Sequence, residues 1–154
     1  MNRFESLPHR LEEIAQSGKV IFVNDSKATN AEAAARALEA FDAIFWIAGG
    51  RAKDGGVTDL LDRLDQVRGA YLIGEAAGEF NEGLKGLTPC YECGDLDTAV
   101  TRAYEHARQS DAQSPVVLLS PACSSYDQFA NFVERGNAFR KLVTQLSSVN
   151  GAAA

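Results

Sequence analysis

The chain has 154 residues, of which 45% are hydrophobic and 23% are charged, and its formal net charge is −6. This length and composition predict one globular domain and exclude a disordered or fibrous chain. The acidic balance argues against non-specific nucleic-acid binding, which needs phosphate-neutralising cations, and no apolar run approaches the roughly 20 residues of a membrane span.

Cysteine content and the N-terminal sequence indicate a compartment. Three cysteines, an odd number in a chain of this size, fit a reducing cytoplasm better than a disulfide framework. The opening sequence MNRFESLPHRLEE has no apolar h-region, so we expect no secretory signal. We therefore expect a cytoplasmic protein that binds neither membranes nor nucleic acid.

The N-terminal third of the chain predicts a strand followed by a helix. Residues 1–8 read as a linker or lead-in, and residues 9–15 fit either a short strand or a helical turn. A Ser-Gly-Lys turn then precedes a β-branched and aromatic run at 20–24, which predicts a strand. Residues 29–41 are rich in alanine and have apolar positions at helical spacing, which predicts a helix.

The same alternation continues to the C-terminus. The continuous apolar run at 43–48 predicts a strand buried on both faces, as parallel strands are. The later predicted elements are a helix at 58–64, a strand at 70–73, a helix at 75–84, a strand at 89–92, a helix at 95–108, a strand at 115–119 and a helix at 127–146. Residues 147–154 are expected to be a flexible tail. About six strands alternating with helices predict an α/β fold, with a mostly parallel, Rossmann-like sheet and helices on both faces.

Polar clusters follow three of the predicted strands. DSKATN at 25–30 follows the first, GGRAKDGG at 49–56 follows AIFWIA, and SPACSS at 120–125 follows the last. Parallel strands bring their carboxyl ends to one edge of the sheet, where α/β folds bind ligands. That edge would place Lys27 and Lys53 near hydroxyls and helix N-termini, so the sequence predicts a site for a small anion.

Each cluster also has a purely structural interpretation. Thr29 with Glu32, and Ser125 with Gln128, have the spacing of a capping box, so either hydroxyl can simply cap a helix. The glycine-rich loop can be a flexible turn with solvated charges, and Lys27 can be a surface lysine. The coincidence of three clusters at one edge favours a binding site.

Common cofactor motifs are missing from the sequence. It contains neither a G-x-x-x-x-G-K-[ST] phosphate loop nor a G-x-G-x-x-G fingerprint. Cys90 and Cys93 have C-x-x-C spacing, but no second pair completes a zinc site. They also end a strand pattern, whereas thioredoxin-like motifs open a helix. We therefore expect no metal or redox chemistry at these cysteines.

The sequences LPHRLEE, VNDSKATN, IAGGRAK and LSPACSSYDQFANFVERGNAF together resemble the C-terminal domain of the Mur ligases. The resemblance runs from about residue 7 to residue 143, with the four motifs in the family's order. DSKATN with SPACSSxDQF is similar to the members of the family that add D-glutamate. The resemblance implies a Mur ligase C-terminal domain over residues 9–146 and a part in peptidoglycan synthesis.

The resemblance also implies an activity. In the members that add D-glutamate, ATP phosphorylates the carboxylate of UDP-N-acetylmuramoyl-L-alanine, and the amine of D-glutamate attacks the resulting acyl phosphate. The phosphate loop, the Mg²⁺ ligands and the UDP-sugar site lie in two preceding domains, so ATP and Mg²⁺ are expected to be bound mainly there. We therefore expect this chain to be inactive alone, and we expect the ligase to be a monomer.

Eight residues match positions that have roles in the family. The resemblance implies that Arg10 and Asp25 contact the nucleotide and that Lys27 is a catalytic lysine between ATP and the incoming amino acid. It implies that D-glutamate is bound by Thr29, Lys53, Ser125, Tyr126 and Phe132. Relatives often have a leucine or phenylalanine at the Tyr126 position, which a backbone contact would tolerate.

A second hypothesis is a non-catalytic α/β module that binds a small dicarboxylate or a nucleotide. Such a sensor needs only a pocket, whereas a ligase needs an amino-acid site and a nucleotide edge side by side. The ligase is favoured by the combination of Lys53, Thr29 and Ser125 with Arg10 and Asp25.

Overall fold

The structure, a computed structural model, describes residues 11–50, 60–123 and 131–153, and within them six strands and four helices. The strands are β1 (Glu12–Ser17), β2 (Val20–Asn24), β3 (Ile44–Gly49), β4 (Val67–Ile73), β5 (Cys90–Gly94) and β6 (Val116–Leu119). The helices are α1 (Ala31–Leu38), α2 (Ala77–Leu84), α3 (Leu96–Gln109) and α4 (Phe132–Ala153).

The strands form one sheet in the order β1-β2-β6-β3-β4-β5. All neighbours are parallel except β1, which pairs antiparallel with β2. The last strand, β6, lies between β2 and β3, and Val116 is aligned with both Ile21 and Ile44. The predicted α/β fold with a mostly parallel sheet is therefore confirmed.

Helices cover both faces of the sheet because its central strands are apolar on both sides. Trp46 faces a core that contains residues of α1 and α2. Its neighbour Phe45 faces the opposite core, which contains residues of α3 and α4. Successive strand residues point to opposite faces, so one apolar run supplies both cores.

The ambiguous segment near the N-terminus is a strand where the structure describes it. β1 and β2 form a hairpin closed at Gly18, whose φ of +60° lies in the left-handed region. Such values are typical of the primed turns that close two-residue hairpins, and glycine adopts them without steric cost. Pairing with β2, rather than local propensity, decides that this segment is extended.

The start of α1 differs from its prediction. The N-cap is Asn30, whose Oδ1 accepts a hydrogen bond from the backbone N–H of Ala33 at 2.9 Å. The predicted capping box of Thr29 and Glu32 is therefore wrong, because the helix begins after Asn30, whose side chain caps it in place of Thr29. Thr29 thus lies outside the helix cap.

Three later segments that were predicted as helices also differ from the prediction in their extent or their ends. Residues 60–64, the described part of the predicted helix at 58–64, form turns and no α-helix. α3 is capped by Asp95, whose carboxylate accepts from the N–H of Thr98 at 2.8 Å, and this contact lowers the pKa of Asp95. α4 continues to Ala153, beyond the predicted end at 146.

Candidate functional site

The carboxyl ends of β2, β6 and β3 are adjacent, since β6 lies between the other two. The residues that follow these strands are Asp25, Ser120 and Gly50. Backbone bonds hold the ends together: Asp25 N–H donates to Leu119 O at 2.7 Å, and Ser120 N–H donates to Ile47 O at 3.2 Å. The described parts of the three polar clusters thus meet at one edge of the sheet, as predicted.

Asp25 is buried at the centre of this edge. Its Oδ1 accepts from the backbone N–H of Leu11 at 3.0 Å, and its Oδ2 accepts from the hydroxyl of Ser120 at 2.9 Å. Trp46 Nε1 in turn donates to the carbonyl of Ser120 at 2.7 Å. Hydrogen bonds to a charged acceptor are stronger than neutral ones, so Asp25 anchors the start of β1 to the ends of β2 and β6.

The turn after β2 presents a lysine to solvent. Asn24 Oδ1 accepts from Ser26 N–H at 3.1 Å, and Ala28 N–H donates back to Asp25 O at 2.9 Å. These bonds fold the backbone tightly, with Ser26 buried and Lys27 exposed. Thr29, which follows, is half-buried. The turn therefore has a hydrogen-bonded backbone and an exposed cationic side chain.

A small cleft opens beside this turn. It has a volume of about 110 Å³ and is lined by Leu11, Asp25, Lys27, Ala28, Ala33 and Arg36. Pockets that enclose a small molecule usually measure about 300–1,000 Å³. The cleft is therefore too small to enclose a small molecule by itself, and its lining is partly charged.

Arg135 is a buried residue of the site that the sequence reasoning missed. Its Nη2 donates to the carbonyls of Ser26 at 2.9 Å and Cys123 at 3.0 Å, and its Nε donates to Ser26 Oγ at 3.1 Å. Ser26 Oγ donates to Phe132 O at 2.7 Å. Arg135 thus ties the first turn of α4 to the turn that carries Lys27.

One sequence signal could have identified Arg135. It lies four residues before Phe139 and eight before Val143, both of which are buried. At this spacing all three residues share one face of a helix. An arginine in line with core positions predicts a buried guanidinium that needs several acceptors.

The structure describes four of the eight predicted site residues. Asp25 and Lys27 line the cleft, Thr29 lies on the same turn, and the carbonyl of Phe132 contacts that turn through Ser26. The other four lie outside the described residues: Arg10, Lys53, Ser125 and Tyr126. The roles given to all eight remain predictions.

The glycine-rich cluster begins with a sterically required glycine. Gly49 has φ of +126°, and a Cβ built on it would lie 2.0 Å from the carbonyl oxygen of Ile73 in β4. Gly50 N–H donates to the same oxygen at 3.1 Å. The first residue of this cluster therefore belongs to β3 and must be glycine, because close approach of β4 excludes any side chain. Residues 51–56 of the cluster lie outside the described residues, so the interpretation of the loop as a flexible turn stays open.

The two cysteines of the C-x-x-C pattern do not converge. Cys90 packs against the core that contains α1 and α2, and Cys93 against the core that contains α3 and α4. Burial raises the pKa of both thiols, which disfavours the reactive thiolate.

Across residues 11–50, 60–123 and 131–153, no three His, Cys, Asp or Glu side chains are grouped as metal ligands. None of the helices in those ranges is long and apolar enough to cross a bilayer.

Residues 9–123 match the family described as Mur ligase, glutamate ligase domain. UDP-N-acetylmuramoylalanine--D-glutamate ligase of Caulobacter sp. (strain K31) is 53% identical over 143 residues, which cover 93% of this chain and 30% of that protein. The enzyme of the same name from Rhodopseudomonas palustris (strain HaA2) is 50% identical over 153 residues, covering 99% of this chain and 33% of that protein. The chain thus spans about a third of the length of these curated relatives.

Two solved structures have a similar fold. Bifunctional folylpolyglutamate synthase/dihydrofolate synthase from Yersinia pestis CO92 superposes with a TM-score of 0.59 and 20% identity, covering 92% of this chain and 32% of that one. UDP-N-acetylmuramate-alanine ligase MurC from Thermotoga maritima gives a TM-score of 0.57 and 12% identity, covering 92% and 31%. At these identities the likeness shows the fold alone.

Proposed function

The chain belongs to the Mur ligase family, and we propose that it is the D-glutamate-binding C-terminal domain of an ATP-dependent ligase. The ligase would join D-glutamate to UDP-N-acetylmuramoyl-L-alanine in peptidoglycan synthesis. The observation that carries this proposal is the insertion of β6 between β2 and β3, which places three polar strand ends side by side. Such an edge can hold an amino acid and a nucleotide next to each other.

The proposal divides the edge into two sides. The nucleotide lies on the side of Asp25, where the cleft and the start of β1 are, and D-glutamate lies on the side of Thr29. Lys27 lies between them and is exposed, so its ammonium can contact an anion from either ligand. The remaining D-glutamate contacts are proposed for Lys53, Ser125, Tyr126 and Phe132, and a further nucleotide contact for Arg10.

The chemistry asked of this chain is positioning. ATP, when bound, supplies the phosphoryl group that converts the carboxylate of the UDP-linked substrate into an acyl phosphate. The amine of D-glutamate then forms the amide bond, losing a proton as inorganic phosphate leaves. A charge-assisted contact is worth about 1.5–3 kcal/mol. Two such contacts to the dicarboxylate aim its amine at the acyl phosphate, which lowers the barrier by orientation.

The size of the cleft supports a site completed by other domains. At about 110 Å³, the cleft cannot enclose a nucleotide. The curated relatives are about three times as long as this chain. We therefore assign most of the phosphate-binding groups and the Mg²⁺ ligands to parts of the ligase that precede this domain.

The proposal is tested by Lys53→Ala in the full-length ligase. Loss of one charge-assisted carboxylate contact should raise the KM for D-glutamate on the order of 10- to 100-fold. The KM for the UDP-linked substrate should stay within about twofold, since that ligand is held elsewhere. The measurement is steady-state ADP release at varied concentration of each substrate.

Lys85→Ala is the matched control, because Lys85 is an exposed lysine at the far end of α2, away from the strand ends. It should change neither KM. Unchanged kinetics in Lys53→Ala would show that the role given to Lys53 is wrong. Binding of D-glutamate or nucleotide by the full-length protein without any ADP release would favour the non-catalytic binding module instead.

A further inference from the structure

We propose that Arg36 of α1 is a second, movable cation of the nucleotide side of the site, where it acts together with Lys27. This inference rests on the proposed function, which places the nucleotide at the cleft. It adds a phosphate-binding residue that lies outside the four sequence motifs that resemble the Mur ligases.

The geometry of α1 brings Arg36 to the cleft. Arg36 and Ala33 are three residues apart, so they share one face of the helix, and both line the cleft with Asp25 and Lys27. Side chains on a helix lean towards its N-terminus, and the N-terminus of α1 lies at the strand-end edge. The small side chain of Ala33 leaves room for the guanidinium to reach that edge.

Arg36 is held by a weak partner. Its Nη1 lies 3.3 Å from Glu32 Oε1, and the two side chains are 67% and 86% exposed. Exposed ion pairs of this kind contribute little to stability because water screens them. An anionic ligand with two or three phosphate oxygens can therefore replace Glu32 as the partner of the guanidinium, at a small cost in free energy.

The charges around the cleft favour an anion. The carboxylate of Asp25 is buried and accepts hydrogen bonds from Leu11 and Ser120, which stabilise its negative charge within the fold. Among the lining residues that the structure describes, the exposed charged side chains are those of Lys27 and Arg36, and both are positive. Lysine offers a point charge, and arginine offers a planar fork that matches two oxygens of a phosphate group.

The test is Arg36→Gln in the full-length ligase. The KM for ATP should rise on the order of three- to tenfold, because a partly screened charge contact is lost, while kcat and the KM for D-glutamate stay within about twofold. Arg36→Lys should recover part of the loss. Glu32→Gln should lower the KM for ATP, because Glu32 competes with the ligand for Arg36.

Arg108→Gln is the matched control. Arg108 also pairs with a carboxylate on its own helix, Glu105, with Nη2 and Oε1 2.6 Å apart, and it lies at the far end of α3. This variant removes the same charge and should leave the KM for ATP unchanged. An equal rise in the two arginine variants would overturn the inference, since it would reflect net charge alone.

A binding measurement separates this inference from the proposed function. Calorimetric titration of the full-length protein with ADP should give a weaker affinity for Arg36→Gln than for the wild type, whether or not the protein ligates D-glutamate. Failure of the wild type to ligate would overturn the proposed function alone. Normal ligation with unchanged ATP KM and ADP affinity in Arg36→Gln, or an equal effect on D-glutamate, would overturn the role of Arg36 alone.

Discussion

Ser120 joins three strands through three separate atoms. Its N–H donates to Ile47 of β3, its hydroxyl donates to Asp25 after β2, and its carbonyl accepts from the indole of Trp46. The residue is fully buried, so every one of these polar atoms needs a protein partner. The position of Asp25, and with it the proposed nucleotide side of the edge, depends on this serine.

Ser120→Ala should therefore lower the free energy of unfolding by about 1.5–3 kcal/mol, since a buried carboxylate loses a hydrogen bond that water cannot replace. Urea unfolding followed by circular dichroism measures the change. Ser110→Ala is the control, because its hydroxyl bonds a helix-end carbonyl at a half-exposed position, and it should cost clearly less. An equal decrease in the free energy of unfolding in the two variants would show that the hydrogen bond to Asp25 stabilises the fold no more than an ordinary half-exposed hydrogen bond does.

At the scale of single residues, sequence and structure gave different information on Asp25 and Arg135. The motif around Asp25 implied contact with a ligand, while the structure adds that its carboxylate holds Leu11 and Ser120. Arg135 lies in a stretch of mixed charge and offered only a spacing signal. Its burial depends on the acceptors of Ser26, 109 residues away in the sequence, and of Cys123, which meet only in the fold.

Among the elements, β3 and β4 approach so closely at Gly49 that a side chain has no room. A Cβ there would lie 2.0 Å from the carbonyl oxygen of Ile73, at a φ of +126°. This glycine allows β3 to end directly beside β4, and the chain then continues into the loop at the carboxyl edge of the sheet. An alanine here would be destabilised twice, by an unfavourable backbone dihedral and by the clash of its Cβ with β4.

Gly49→Ala should cost more than about 2 kcal/mol in the free energy of unfolding. Gly78→Ala makes the same chemical change inside α2, where the new Cβ meets nothing within 4 Å. It should stabilise the protein by about 0.5–1 kcal/mol, since alanine loses less backbone entropy in a helix. Thermal and urea unfolding of both variants measure this contrast, and a neutral Gly49→Ala would contradict the close approach.

The termini of elements were predicted less well than the elements themselves. Residues 20–24 were predicted as a strand and are one, because an apolar β-branched run has few alternatives. α1 begins two residues later than predicted and its cap lies one residue later, because Thr29 and Asn30 are both good caps and local sequence does not choose between them. β1 could not be assigned because its pairing with β2 decides its conformation.

For the whole molecule, the order of the strands brings the polar strand ends of the candidate site together. β6 comes last in the sequence and lies between β2 and β3, so clusters that are about a hundred residues apart in sequence become neighbours. The resulting edge is open on one side, and its cleft of about 110 Å³ is smaller than pockets that enclose small molecules. This geometry suits a domain that closes against another one.

We therefore expect the 154-residue chain by itself to bind ADP with a dissociation constant on the order of 1 mM or weaker, because few contacts offset the loss of translational freedom. It should release no ADP when supplied with ATP, D-glutamate and the UDP-linked substrate. Isothermal titration and a coupled ADP assay measure both quantities. Ligation by the separate chain would contradict the division of the site between domains.

By itself the sequence determined the α/β class, most of the strands and the family, because alternating apolar runs and short polar motifs are local properties. It also indicated that DSKATN, GGRAKDGG and SPACSS belong to one edge, through the general rule for parallel strands. Only the tertiary structure decided that β6 separates β2 from β3, that Asp25 is buried against Ser120, and that Arg135 and Arg36 reach the turn and the cleft beside Lys27. These facts depend on contacts between distant segments, and no local pattern encodes which distant acceptor a side chain will meet.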